Sequence, residues 1–196
     1  MKNLILIVSM LLLVLFSCKK DDDDNEPASN LPFPAPTSSI PIDFVKVGNS
    51  WTYELEDFYG NKATQVVTIS SQVQNGVYKV KNERDGVEED MYWYIDGNLL
   101  KAWDGDGGSI RYKQNAKIGD TWSYSNSSNN VETEVLSVDT VIFVDGIGKS
   151  FKTHQYYLSL LNKLNDQTDY WSPDTGLVYS DAGGWFTLTL VDATLK

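Results

Sequence analysis

From residue 50 to the C-terminus, apolar and polar residues alternate in short runs separated by glycine-containing turns. Trp51, Tyr53 and Leu55 alternate with Thr52, Glu54 and Glu56, a period of two that gives a strand one buried face and one wet face. Met91, Trp93 and Ile95 repeat the pattern, as do Phe186, Leu188 and Leu190 set against Trp185, Thr187 and Thr189. Turn signals stand at Gly60-Asn61, Asn75-Gly76, Asp85-Gly86, Asp96-Gly97, Asp145-Gly146, Asp174-Thr175-Gly176 and Gly183-Gly184, mostly at hairpin spacing. The pattern predicts an all-β fold of about ten to twelve antiparallel strands with little helix. Only Tyr156 to Asn165 hints at helix; its leucines fit the end of a long strand equally well, and strand is expected over Phe151 to Leu160.

The β pattern contains an internal repeat. Lys46-Val47-Gly48-Asn49-Ser50-Trp51-Thr52-Tyr53 returns as Lys117-Ile118-Gly119-Asp120-Thr121-Trp122-Ser123-Tyr124, each position identical or conservatively exchanged. Tyr92-Trp93, Asp96 and Leu99-Leu100 return as Tyr170-Trp171, Asp174 and Leu177-Val178. Two similar halves, over about residues 44–104 and 115–180, each supply a meander. Together they form a strongly curved sheet, a half-barrel or a two-sheet sandwich, and the pattern does not choose among these. The recurring Gly-Asn-x-Trp-x-Tyr phrase, with Tyr-Trp and Gly-Leu-Val after it, resembles a loose group of uncharacterised bacterial lipoproteins. That resemblance implies an all-β domain and no particular activity.

Ahead of the domain the pattern changes. Lys2 precedes Leu4 to Phe16, an apolar stretch interrupted only by Ser9, which has the form of a secretory signal over residues 1–17. It falls short of the about 20 residues that a membrane-crossing helix needs. Leu15-Phe16-Ser17-Cys18 resembles a bacterial lipobox, which implies cleavage before Cys18 and acylation of that residue. Cys18 is the only cysteine, so it has no disulfide partner, and lipid explains it better than a leftover thiol in a plain secreted protein. The following Lys19-Lys20 and Asp21 to Asp24 resemble the export signal of surface lipoproteins of the Bacteroidota. The resemblance implies an outer-membrane protein displayed at the cell surface, with a periplasm-facing position as the alternative.

Residues 18–41 thus read as an acylated cysteine, an acidic export signal and a disordered tether. Pro27, Pro32, Pro34, Pro36 and Pro41 bias that tether toward extended polyproline II, with a reach of roughly 70 Å. One domain over residues 42–196 remains, a normal size for a single core.

The candidate chemistry is sparse. His154 is the only histidine, and no Gly-x-Ser-x-Gly elbow accompanies it. Nor do further His or Cys residues supply a zinc site, so it reads as an ordinary strand residue. Glu83, Asp85, Glu88, Glu89 and Asp90 surround a predicted turn and read as a solvated acidic loop, not a catalytic carboxylate pair. Asp104 and Asp106 begin what resembles a calcium loop, but Gly108, Ser109 and Asn115 occupy positions where the loop needs other residues. They are weak metal candidates. No catalytic residue, resident metal or cofactor is expected.

Aromatic residues are in surplus, with six tryptophans and eleven tyrosines. Trp51, Trp93, Trp122 and Trp171 belong to the repeat and suit the core. Trp103 and Trp185 instead border glycine-rich loops and are the candidate ligand-binding residues, rings at a loop mouth able to stack on sugars beside acidic groups. The balance of 16 basic against 27 acidic side chains, a formal net charge of −11, opposes binding to nucleic acid. The expected partners are the lipid bilayer, through acylated Cys18, and a glycan or an envelope protein. The expected function is non-enzymatic binding, and the alternative is a structural or carrier module that shelters an apolar ligand or docks onto an outer-membrane assembly.

Overall fold

The computed structural model describes residues 31–103, 108–125, 130–160 and 166–196. The signal segment, Cys18, the acidic run, Asp104 and Asp106 lie outside the described residues, as does the stretch 161–165. Twelve strands form one sheet: β1 (Ser50–Asp57), β2 (Lys62–Gln74), β3 (Val77–Arg84), β4 (Val87–Asp96), β5 (Leu99–Trp103), β6 (Gly108–Lys113), β7 (Thr121–Ser125), β8 (Asn130–Val144), β9 (Lys149–Leu160), β10 (Gln167–Ser172), β11 (Gly176–Asp181) and β12 (Phe186–Thr194). The described residues contain no helix, and Phe151 to Leu160 is strand.

Every ladder is antiparallel, and each strand pairs with its sequence neighbour apart from one break between β6 and β7. The first strand pairs with the last: Tyr53 stands opposite Leu190 and Leu55 opposite Leu188. The sheet therefore curls into a nearly closed barrel whose open seam lies between β6 and β7, which resolves the choice among curved sheet, half-barrel and sandwich. Because strands alternate in direction, so do their connections. One end carries the β1–β2, β3–β4, β5–β6, β7–β8, β9–β10 and β11–β12 turns, hereafter the loop end. The other receives the incoming chain before β1 and the chain end after β12.

That second end is sealed. Phe44 is buried against Trp51, Tyr112 and Trp171, with ring centroids 6.5, 5.3 and 6.0 Å away, and Ile42 and Val45 are buried with it. Trp51 Nε1 donates to the Thr175 carbonyl and Tyr53 Oη to that of Leu177, the latter at 3.2 Å, so the inward side chains of β1 tie it across β12 to the start of β11. The segment before Phe44 is also held. Ile40 N donates to Gly97 O at 2.9 Å, and Gly97 N donates to Ser38 O at 2.9 Å. Phe33, inside the stretch expected as tether, is buried on the outer face of β4 and β5.

The Gly-Asx turns preceding β1 and β7 are built alike. Gly48 and Gly119 have φ of +85° and +81°, a region glycine enters without steric cost. Gly48 N donates to Ile69 O at 2.8 Å and Ile69 N to Asn49 O at 3.0 Å; Gly119 N donates to Val135 O at 2.9 Å and Val135 N to Asp120 O at 3.0 Å. Their surroundings differ. The Asn49 amide bonds both Phe44 O and Lys196 N, joining the two ends of the domain, whereas Asp120 accepts from Lys113 Nζ and Lys117 N. Near the open seam the buried atoms Ser109 Oγ, Gln114 Oε1, Trp122 Nε1 and Thr133 Oγ1 have no hydrogen-bond partner among the described residues.

Candidate functional site

At the loop end the β1–β2 and β11–β12 turns lie side by side, because β1 and β12 are paired along their length. Phe58 N donates to Trp185 O at 2.9 Å, and Trp185 N to Ala182 O at 3.1 Å. These bonds fix the two turns to one another. Phe58, Tyr59 and Trp185 are 73, 84 and 63% exposed, and with Asp57, Gly183 and Gly184 they border a hollow of about 520 Å³. The Phe58 and Tyr59 rings meet edge to face at 5.4 Å. Gly183 and Gly184 both have positive φ, 59° and 85°, a backbone that glycine adopts without strain, and as glycines they place no side chain beside the indole.

The neighbouring carboxylate has a structural task. Asp57 accepts hydrogen bonds from Asn61 Nδ2, Asn61 N and Tyr59 N at 2.8 to 2.9 Å. The Asn61 side chain first, and the backbone N–H groups after it, hold its carboxyl below the usual range. Asp57 therefore shapes the loop that displays Phe58 and Tyr59. The rings themselves supply the flat, apolar and weakly electronegative faces that suit a sugar's C–H face or a cationic group.

Trp185 thus stands as the glycine-rich context suggests, with its ring in the open. Trp103 does not. It is half-buried on β5, and the buried Phe33 ring lies 5.5 Å from it, 4.5 Å from Tyr94 and 5.8 Å from Tyr92. This aromatic cluster attaches the incoming segment to the outside of the sheet. Phe58 and Tyr59 were absent from the sequence-derived site. Their signal is two consecutive aromatics immediately before Gly60-Asn61, where alternation has ended and no strand face remains to bury either ring.

The remaining candidates fall into place around the barrel. His154 is half-buried on β9, its ring 5.9 Å from that of Tyr112 and its Nδ1 3.4 Å from Tyr156 Oη. Burial, and then the charge of Lys152, lower its pKa, keeping the imidazole neutral at pH 7. The acidic residues around Asp85-Gly86 are exposed at the β3–β4 turn, where Lys79 pairs with Asp90 at 2.9 Å and Lys81 with Glu88 at 2.8 Å. Among the described residues no cluster of three His, Cys, Asp or Glu side chains has the geometry to hold a metal ion.

Inside the barrel lies a cavity of about 160 Å³, bordered by Tyr53, Gln65, Asn82, Arg111 and Trp171 among others. Gln65 Nε2 donates to Asn82 Oδ1 at 2.7 Å. Asp169 is buried on the same inward face of β10 as Trp171 and accepts from Gln167 Nε2 at 2.8 Å. Burial raises its pKa, and hydrogen bonds from Ser180 and Gln167, the charge of Arg111 and the Trp171 indole only partly oppose this. The cavity therefore has a few polar side chains set in a largely apolar wall that includes Val67, Met91, Trp93, Leu177 and Leu188, and the sealed end beneath it is aromatic.

No family profile matches this chain, and no curated protein matches it. Among solved structures, a Parabacteroides distasonis protein provisionally described as a lipoprotein is similar at 12% sequence identity and a TM-score of 0.48, over 76% of this chain and 96% of that one. A likeness of that size leaves function to be argued from the residues themselves.

Proposed function

We propose that this protein is a lipoprotein anchored to the outer membrane through Cys18 and displayed at the cell surface, and that its non-enzymatic β domain binds a glycan at the loop end. The observation that carries the binding reading is the exposed trio Phe58, Tyr59 and Trp185 around one hollow of about 520 Å³. Three large rings left in water on two mutually hydrogen-bonded turns are costly unless something covers them. A pyranose offers an apolar face that stacks on such rings, and its hydroxyls need no matching positive charge in a chain this acidic. A protein partner of the envelope is the nearest competitor.

A carrier of apolar ligands is less well supported. The interior cavity of about 160 Å³ is smaller than the sites of about 300–1,000 Å³ that enclose drug-sized ligands.

A glycan-binding screen with the purified protein tests the proposal, using Trp185→Ala and Tyr59→Ala as site variants and Trp103→Ala as the comparison. Binding that survives Trp103→Ala and fails in the other two is expected; absence of any glycan ligand overturns it. The anchor is tested separately: Cys18→Ser should abolish acyl labelling and release the protein from membranes, and retention in the membrane would contradict it.

A further inference from the structure

Strand β8 is three times as long as its neighbour β7. β7 covers only Asn130 to Glu134 of it, and the turn before β7 holds Val135 through bonds from Gly119 and to Asp120. From Leu136 to Val144 the strand pairs with β9 on one side, and among the described residues no strand lies on the other. Nine residues at about 3.3 Å each leave close to 30 Å of backbone edge unpaired. Such an edge is a template for another strand.

Natural edges are commonly blunted by lysine, proline or inward charges, and this one carries little of that. Asp139 is the only ionisable side chain from Leu136 to Val144. Leu136, Val141 and Phe143 are exposed, the last two by 65 and 59%, and Ile118 of the adjoining turn is exposed beside them. A bulge displaces the ladder between Ser137 and Thr140, but Thr140 to Val144 beyond it pair regularly with Thr153 to Lys149 and present a regular outer edge.

The charges flanking the edge indicate the occupant. Exposed Glu132 and Glu134 lie at one end of β8, and exposed Lys149 and Lys152 lie on β9 beside its other end. None of the four forms an ion pair with a described residue. Antiparallel pairing of β8 with β8 of a second copy reverses the direction, so the glutamate end of one chain runs alongside the lysine end of the other, twice, about a twofold axis. The interface is isologous and closes on itself, giving a dimer and not a fibre. A chain of net charge −11 otherwise repels its own kind; at the two ends of this edge complementary charges offset that repulsion.

We propose that Leu136–Val144 is a homodimerisation edge, joining two copies by antiparallel β8–β8 pairing into one continuous sheet. In membranes carrying the full chain, Val141→Cys treated with a short bis-maleimide should give a dimer band. Val47→Cys, exposed elsewhere, should not, and the native chain reports any contribution from Cys18. Sedimentation of the full chain in detergent should show a dimer that Val141→Lys with Phe143→Lys weakens at least about 100-fold. Glu134→Lys should weaken it about 5-fold, and adding Lys149→Glu should restore it, as expected for an ion pair across a rim. Restoration by the charge swap excludes mere damage to the hairpin. A monomer at all concentrations, a dimer indifferent to the Val141 and Phe143 changes, or cross-linking as strong at Val47 overturns the proposal.

Discussion

The two ends of the barrel bury and expose the same kinds of side chain in opposite ways. At the sealed end Phe44, Trp51, Tyr112 and Trp171 converge on one another, the Trp51 N–H has a carbonyl partner, and Asn49 ties chain entry to chain exit. At the loop end Phe58, Tyr59 and Trp185 face water, and the polar groups beside them maintain the turns. Aromatic content alone therefore does not locate a site. What separates a core ring from one free to meet a ligand is whether the rest of the chain has come back to cover it.

The largest stability effects should fall on the sealed end. Trp51→Ala removes a buried indole and leaves the Thr175 carbonyl without its donor, so a loss of about 3–5 kcal/mol is expected in denaturant unfolding. Phe44→Ala should cost about 3 kcal/mol, since it empties the centre of the same cluster. If either variant unfolds like the parent, the incoming segment does not seal the barrel. Trp103→Ala should be milder, about 1–2 kcal/mol, because its ring is only half-buried. It should also free the Phe33 segment to proteases while leaving ligand binding intact.

Asp169 sharpens the comparison in the interior above the seal. Its folded-state pKa is raised, chiefly by burial, so the protonated acid is the better-tolerated form in the fold. Stability is then greatest below the unfolded pKa of about 3.9 and declines as pH rises toward the folded value. Asp169→Asn should raise Tm at pH 7 and change it little at pH 3. An equal shift at both pH values would show that charge is not the cause. The first half has Met91 at the place before its Tyr-Trp pair where the second half has Asp169, so the buried carboxyl belongs to the second half alone.

How much of this is legible in the sequence follows from where the deciding contacts run. Alternation and turn residues are local signals, and they predict the strands, the turn at Asp85-Gly86, where both residues have positive φ, and β9 in place of a helix. Closure depends on β1 meeting β12, a ladder between chain ends that no window of sequence contains. Trp103 and Trp185 have the same local context, yet Phe33, seventy residues before Trp103, packs on one, and the other is 63% exposed among the described residues. The long free edge of β8 likewise results from the shortness of β7, which the pattern does not specify.

The smallest stability effect and the largest binding effect should coincide at Trp185. Because the ring lies in water, Trp185→Ala should change unfolding free energy by no more than about 0.5 kcal/mol. The most direct test of the account is therefore calorimetric titration of a glycan ligand into the parent and the Trp185→Ala variant, with unfolding measured on the same samples. Affinity lower by at least about 10-fold at unchanged stability, corresponding to about 1.4 kcal/mol of binding energy in the ring, is the predicted result. Equal affinity in the two proteins would place the binding face elsewhere and contradict it.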